Sequence, residues 1–322
     1  IKAIKKIAQQ QQAHIVEYSI IDIQFTMGGK KQQLQKVYIW LIKPTGEVKF
    51  KQVNLKSIDK SLQKLIISSR PSIEINKGRG IIVVAEMKEI VNRKQYSQQL
   101  HKILIEPIAK FLPVNPNEQV IFIPHKSLFL LPFSSLQDKN DKHLIEKHTI
   151  LTVPSIQVLD FTHKQRDIFP SNVQDALVIG NPNTSKLKLN LEPLPVAEEE
   201  AEVVASLLNT KALTKDTATE TVIKAKLPQS RVIHLATHGL SNNNFRGLES
   251  SLALAASPED NGLLTAEEIL DIKLNADLVV LSASDSGIGQ ITSDSVIGLS
   301  SSFLIAGTPS VVASLWAVED KH

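Results

Sequence analysis

Apolar positions along the chain follow two rhythms. In the first third they alternate with polar ones. Residues 15–24 and 36–43 read as strands, Pro44-Thr45-Gly46-Glu47 supplies a turn, and residues 48–53 return as a third strand, which predicts a hairpin or meander. Residues 1–13 read as the end of a polar helix or a linker. Residues 57–68 set Ile58, Leu62, Leu65 and Ile66 at helical spacing. Residues 96–111 do the same with Leu100, Ile103, Leu104 and Ile108, and Pro113 and Pro116 close that helix. Residues 120–124 form a short, wholly apolar strand, and another is expected over 149–154.

The second rhythm begins after residues 164–175, a polar stretch containing Pro170. Short apolar strands are expected at 176–180, 232–236, 251–255, 278–282 and 310–316, with helices between them at 195–208, 219–227 and 295–306. Thr265-Ala266-Glu267-Glu268 is a capping box that opens a further short helix to Leu270. Strands that alternate with helices predict a parallel α/β sandwich. The expected division is a mixed α/β subdomain over 1–170 and a parallel subdomain over 171–322. The last strand stands close to His322, so the edge of the sheet is expected to lie further on. The chain does not begin with Met and reads as part of a longer protein.

Composition narrows the function classes. The chain has 322 residues, 42% hydrophobic and 21% charged, which suits a globular protein with a core of its own. It has no cysteine, which excludes disulfides, thiolate metal sites and a thiol nucleophile. A cytoplasmic location fits that usage. No apolar run approaches the ~18 residues of a membrane span, and no secretory pattern opens the chain. Residues 1–64 hold twelve lysines against four acids. Without interleaved aromatics or an arginine cluster this reads as a solvated lysine-rich face, not a nucleic-acid surface. Gly287-Ile288-Gly289 lacks the third glycine of a dinucleotide loop, and neither a P-loop nor a GxSxG elbow occurs. His125, His143 and His148 lack metal-ligand spacing, so no metal and no cofactor is expected. Glu198-Glu199-Glu200 reads as the solvated first turn of a helix.

Candidate chemistry lies beyond the C-terminal ends of strands, where such sheets build their sites. One strand ends Ile233-His234-Leu235-Ala236-Thr237-His238-Gly239, another Val280-Leu281-Ser282-Ala283-Ser284-Asp285-Ser286-Gly287. If the two are neighbours, His238 and Ser284 emerge side by side, and the N–H groups of Gly239 and Ser284 are candidate oxyanion donors. His234 points to the opposite face and reads as structural. Asp285 either lines a pocket for a basic substrate side chain or caps the turn.

These motifs carry a resemblance. HLATHG, followed some forty-five residues on by VVLSASDSG, is similar to the CHAT domain, a relative of caspases, separases and gingipains. YIWLIKPTGEV, VIFIPHKSLFLLPFSSL, ALVIGNPN, LPVAEEEAEVVASLL, GLLTAEEIL and IAGTPSVVASLWAVED also resemble stretches of cyanobacterial CHAT proteins, so the likeness spans nearly the whole chain. The resemblance implies a caspase-like α/β/α sandwich that hydrolyses peptide bonds through a covalent acyl-enzyme. It assigns His238 as the base and position 284 as the nucleophile. It implies a protein or peptide as substrate or partner, and tetratricopeptide repeats ahead of the domain.

The family's nucleophile is a cysteine, and serine stands here at 284. A thiol ionises near pH 8.5 and a hydroxyl near 15.7, a gap of roughly 10 kcal/mol. Serine hydrolases overcome it with a base oriented by an acid, and no acid in these motifs stands ready to orient His238. Little or no peptidase activity is therefore expected. Three explanations stay open: a deliberate Cys→Ser replacement, a natural pseudoenzyme, or a working serine. The rival reading is a non-catalytic module that holds a peptide or partner without cutting it.

Overall fold

A three-stranded meander follows a short helix at the start of the chain. The helix is α1 (Lys2–Gln11) and the strands are β1 (His14–Met27), β2 (Lys30–Ile42) and β3 (Val48–Asn54). Pairing is antiparallel, with Ile15 opposite Ile42 and Trp40 opposite Phe50. At the β2–β3 turn Gly46 takes a φ of +83°, where a side chain would be strained, and the Lys43 N–H meets the Glu47 carbonyl at 2.9 Å. Alternation sends Val16, Tyr18 and Ile20 to the same buried face as Val37, Ile39 and Leu41. The computed structural model describes residues 2–27, 30–55, 61–70, 87–166, 175–240, 248–283, 290–291 and 296–316.

Two helices cover that face. In α2 (Leu62–Ser69) the hydroxyl of Ser61 accepts the Lys64 N–H, and Leu62, Leu65 and Ile66 are buried. The helix has its cap at Ser61; residues 57–60 of the expected span, Ile58 among them, lie outside the described residues. α3 (Met87–Leu104) also departs from the expected 96–111: it begins earlier and stops at Leu104. Pro107 explains the stop, since it lacks an N–H and its ring clashes with the carbonyl four residues back. The chain continues in turns to a single 3-10 turn at Ala109–Phe111, and Ile108 is still buried with Leu100 and Leu104.

β4 (Gln119–Ile123) then joins β1 in parallel, and β5 (Thr149–Thr152) joins β4, giving a mixed sheet in the order β3-β2-β1-β4-β5. Phe122 and Phe133 stack at 4.5 Å, Tyr18 lies against both, and its hydroxyl donates to the Leu104 carbonyl at 3.0 Å. α4 (Ile156–Arg166) follows, a helix the sequence reading did not single out. By packing, the chain forms two units, Ile1–Gln157 and Val158–Thr292 with Val296–His322, so the division falls inside α4. Residues 167–174, most of the polar stretch where a boundary was expected, lie outside the described residues.

The second unit alternates strands and helices. In order come β6 (Asp175–Pro182), α5 (Pro195–Leu207), β7 (Leu213–Lys215), α6 (Glu220–Lys226), β8 (Ser230–Ala236), β9 (Gly239–Leu240), β10 (Ser251–Ala253), β11 (Leu263–Thr265), α7 (Ala266–Leu270) and β12 (Leu278–Ser282). β13 (Gln290–Ile291), β14 (Val296–Ile297), α8 (Leu299–Ile305) and β15 (Val311–Ala313) complete it. The main sheet runs β15-β12-β8-β6-β7 with every pairing parallel. A small antiparallel sheet, β11-β10-β9, stands apart from it. α8 begins at Leu299 and not at 295, because Val296 and Ile297 pair as β14 and Gly298 caps the helix with extended backbone.

Helices lie on both faces of the parallel sheet. Leu177, Ile179, Ile233, Leu235, Val279 and Leu281 pack with Ile223 of α6, Ile269 of α7 and Phe303 of α8. On the other face Val178 meets Ala201 and Ala205 of α5. Gly180 permits the close approach: a Cβ there would sit 2.4 Å from the Ala197 carbonyl oxygen and 2.5 Å from the Ala201 Cβ.

Candidate active site

Parallel pairing brings the C-terminal ends of three strands abreast. Gly180 of β6 stands opposite Ala236 of β8, and Ala236 opposite Ser282 of β12. The two strands that end in candidate chemistry are thus neighbours, the condition on which the sequence reading rested. Loops leaving this edge can converge on a ligand.

His238 follows β8 by two residues and is half-buried. Its Nε2 lies 2.7 Å from the Glu192 carbonyl oxygen. A carbonyl offers only lone pairs, so Nε2 carries the hydrogen, and Nδ1 of the neutral ring keeps its lone pair. A backbone oxygen therefore does the orienting for which no acid was found in the motifs. The main chain is fixed as well. The His238 carbonyl accepts the Ala253 N–H at 2.9 Å, and Thr237 donates its N–H to the Ser282 carbonyl and its hydroxyl to that of Ala253. Gly239 pairs with Leu252 across β9 and β10.

The loop that carries Glu192 is built by the stretch Gly180-Asn181-Pro182-Asn183. Asn181 adopts a left-handed φ of +48°, which asparagine tolerates better than most residues. Its Oδ1 accepts the Leu194 N–H at 2.8 Å, and its Nδ2 donates to Glu198 at 2.9 Å. Asn183 donates to Asp216 at 2.7 Å. Glu198 also pairs with Lys215 at 2.7 Å, and that contact, ahead of Asn181, holds its carboxyl below the usual carboxylate range.

Two residues along α5, Glu200 reaches two strands at once. Its Oε1 lies 2.9 Å from Nε2 of His234, a close contact without in-line hydrogen-bond geometry, and its Oε2 accepts the Ser282 hydroxyl at 3.0 Å. His234 is buried, 6% exposed, on the α5 face of the sheet. The His234 contact is the largest influence on Glu200 and, with Ser282, keeps its carboxyl below the ordinary value against the opposing effect of burial. The reading of residues 198–200 as a solvated turn is thus corrected for Glu198 and Glu200; Glu199 alone is exposed. Spacing held a signal for this. Ala197, Ala201 and Ala205 mark the buried stripe of α5, and Glu200 flanks it. The Glu192 contact had no such signal, because a backbone oxygen has no residue type.

His238 and Gly239 are thus placed at the strand edge, whereas Ser284 and Asp285 lie outside the described residues. Among the described residues, one trio of acids converges closely enough to share an ion: Glu220, Asp260 and Glu268. The Lys224 ammonium sits among them, 3.0, 2.6 and 3.3 Å away. Its pKa is raised, most by the bond to Asp260, so the position of a cation is taken by the protein's own lysine. Glu220 also accepts the Gly262 N–H, and Thr221 donates to Asp260, so the cluster ties α6 to the loop before β11.

Comparison with known proteins identifies relatives of the chain. The family described as CHAT domain matches residues 94–322. Human tetratricopeptide repeat protein 28 is 30% identical over an alignment covering 68% of this chain and 11% of that protein. The mouse protein of the same name is 28% identical over the same shares. The chain thus spans about a tenth of the length of these curated relatives.

Proposed function

The chain belongs to the CHAT domain family, whose fold is a caspase-like α/β, and on that premise we propose that it is a peptidase scaffold whose nucleophile position, 284, holds serine. The observation that carries the proposal is His238, held through Nε2 by the Glu192 carbonyl at the end of a strand adjacent to β12. That bond leaves Nδ1 as the basic atom. The register sets Ala236 opposite Ser282, and positions 238 and 284 each follow two residues later in the sequence. In this role Nδ1 takes the nucleophile's proton, residue 284 attacks the peptide carbonyl, and the N–H groups of Gly239 and 284 receive the oxyanion. With a thiol at 284 the imidazole suffices. With serine the added cost of roughly 10 kcal/mol leaves hydrolysis slow or absent, and the site holds a peptide without cutting it. Asp285 lines the pocket or caps its turn.

The relatives' name supports tetratricopeptide repeats elsewhere in the full-length protein, where they would recruit protein partners. Among the described residues no helix is long and apolar enough to cross a membrane. The cytoplasm is proposed as the compartment. The test is Ser284→Cys against a peptide panel. Cleavage by this variant that disappears on His238→Ala is the expected result. A correctly folded Ser284→Cys protein that binds peptides and cuts none makes the domain a binding module in either form.

A further inference from the structure

We propose that Glu200 is a positioning residue for this site, setting the geometry between the strand that delivers His238 and the strand that leads to residue 284. The inference rests on the reading of 238 and 284 as the reactive pair. Glu200, on α5, touches both strands: Oε1 contacts His234, two residues before the end of β8 and four before His238, and Oε2 accepts from Ser282, the last residue of β12 and two before 284. The same helix is entered from the loop whose Glu192 carbonyl holds His238, and Asn181 pins the end of that loop at Leu194. Gly180 and the alanine stripe bring α5 close enough for a short carboxylate to reach the sheet. One element thus grips the imidazole from its leading loop and the two strands from its second turn.

The chemistry calls for a carboxylate. A hydroxyl donor on one strand and an imidazole nitrogen on the other each face an oxygen of one group, and ionised glutamate presents both oxygens. Glutamine has one acceptor and would turn an NH2 toward one partner. The depressed pKa of Glu200 keeps it ionised at neutral pH. A shift of strand ends by a fraction of an ångström alters the His238–284 distance, to which nucleophile activation is sensitive.

The chain has no cysteine, so Ser284→Cys gives it a single thiol whose ionisation reports the distance to His238 without any substrate. The experiment measures the rate of iodoacetamide alkylation from pH 5 to 10 in that background. The parent should show a midpoint below the ordinary thiol value of about 8.5, and His238→Ala should return it there. Glu200→Gln should raise the midpoint by about half a unit or more, roughly threefold slower alkylation at pH 7. Glu199→Gln, on the exposed side, should leave it unchanged. Should Glu200→Gln fail to fold, Ser282→Ala removes one contact alone and should shift the midpoint less, in the same direction. A midpoint moved by His238→Ala and unmoved by Glu200→Gln and Ser282→Ala overturns the positioning role while the reactive pair stands. A midpoint unmoved by His238→Ala removes the pair and this role with it.

Discussion

At the scale of single residues, small groups do what the motif's conspicuous side chains do not. Asn181 and the Glu192 carbonyl set the tautomer of His238, and Gly180 admits α5 to the sheet. Gly180→Ala should therefore lower stability by about 1–3 kcal/mol, because its Cβ meets helix backbone that cannot move freely. Chemical denaturation measures that loss, and an unchanged midpoint would mean α5 stands further off than described. Tyr18→Phe should cost about 1 kcal/mol through the lost bond to Leu104. His238 was legible in the sequence because strand-end histidines carry a motif. Glu192 was not, because its backbone oxygen acts and its side chain does not. Glu200 was half legible: its helix was clear, but a run of glutamates reads as solvent-facing unless the tertiary partners His234 and Ser282 are known.

At the scale of elements, hydrophobic period located most of the longer strands and helices but not α4 or the short strands β7, β9, β11, β13 and β14, and local chemistry fixed the ends. Strand β12 and the capping box of α7 match the sequence reading because β-branched residues and Thr265 with Glu268 decide them locally. The end of α3 does not, because Pro107 outweighs the apolar spacing that continues to Ile108. The start of α8 fails likewise, because β14 claims Val296 and Ile297. α6 offers a direct test. Its cap, the Thr219 hydroxyl accepting the Val222 N–H, should be worth about 1 kcal/mol, read as the stability lost in Thr219→Ala. Lys224→Met should cost more, on the order of 2–3 kcal/mol, because it leaves the buried carboxylate of Glu220 without its cation. Equal losses in the two variants would argue that the lysine cluster is merely a surface network.

At the scale of the molecule, the two units carry different burdens. The first unit buries His14, His101 and His148, each with an Nδ1 that finds no hydrogen-bond partner. Burial, the largest effect in all three, holds their pKa values below the ordinary 6.5; Lys43 near His14 and Lys147 near His101 and His148 push the same way. Glu118 near His14 and Asp138 and Glu106 near His101 oppose it in part. Below pH 6.5 the unfolded chain binds protons that the folded chain does not, so stability is full above that pH and is lost as pH falls toward the folded values. Urea unfolding between pH 8 and 5.5 should show a midpoint that is level above 6.5 and declines below it. A level midpoint throughout would place these rings in water. The second unit carries the candidate site, and its claim concerns one atom at 284. The direct measurement is intact mass after exposure to a peptide-based, thiol-directed electrophile, for the chain with Ser284 and for Ser284→Cys. One adduct on the cysteine form, formed faster than on a free thiol and slowed by His238→Ala, with none on the serine form, is the predicted result. Labelling of the serine form, or labelling of the cysteine form no faster than a free thiol, would contradict the account.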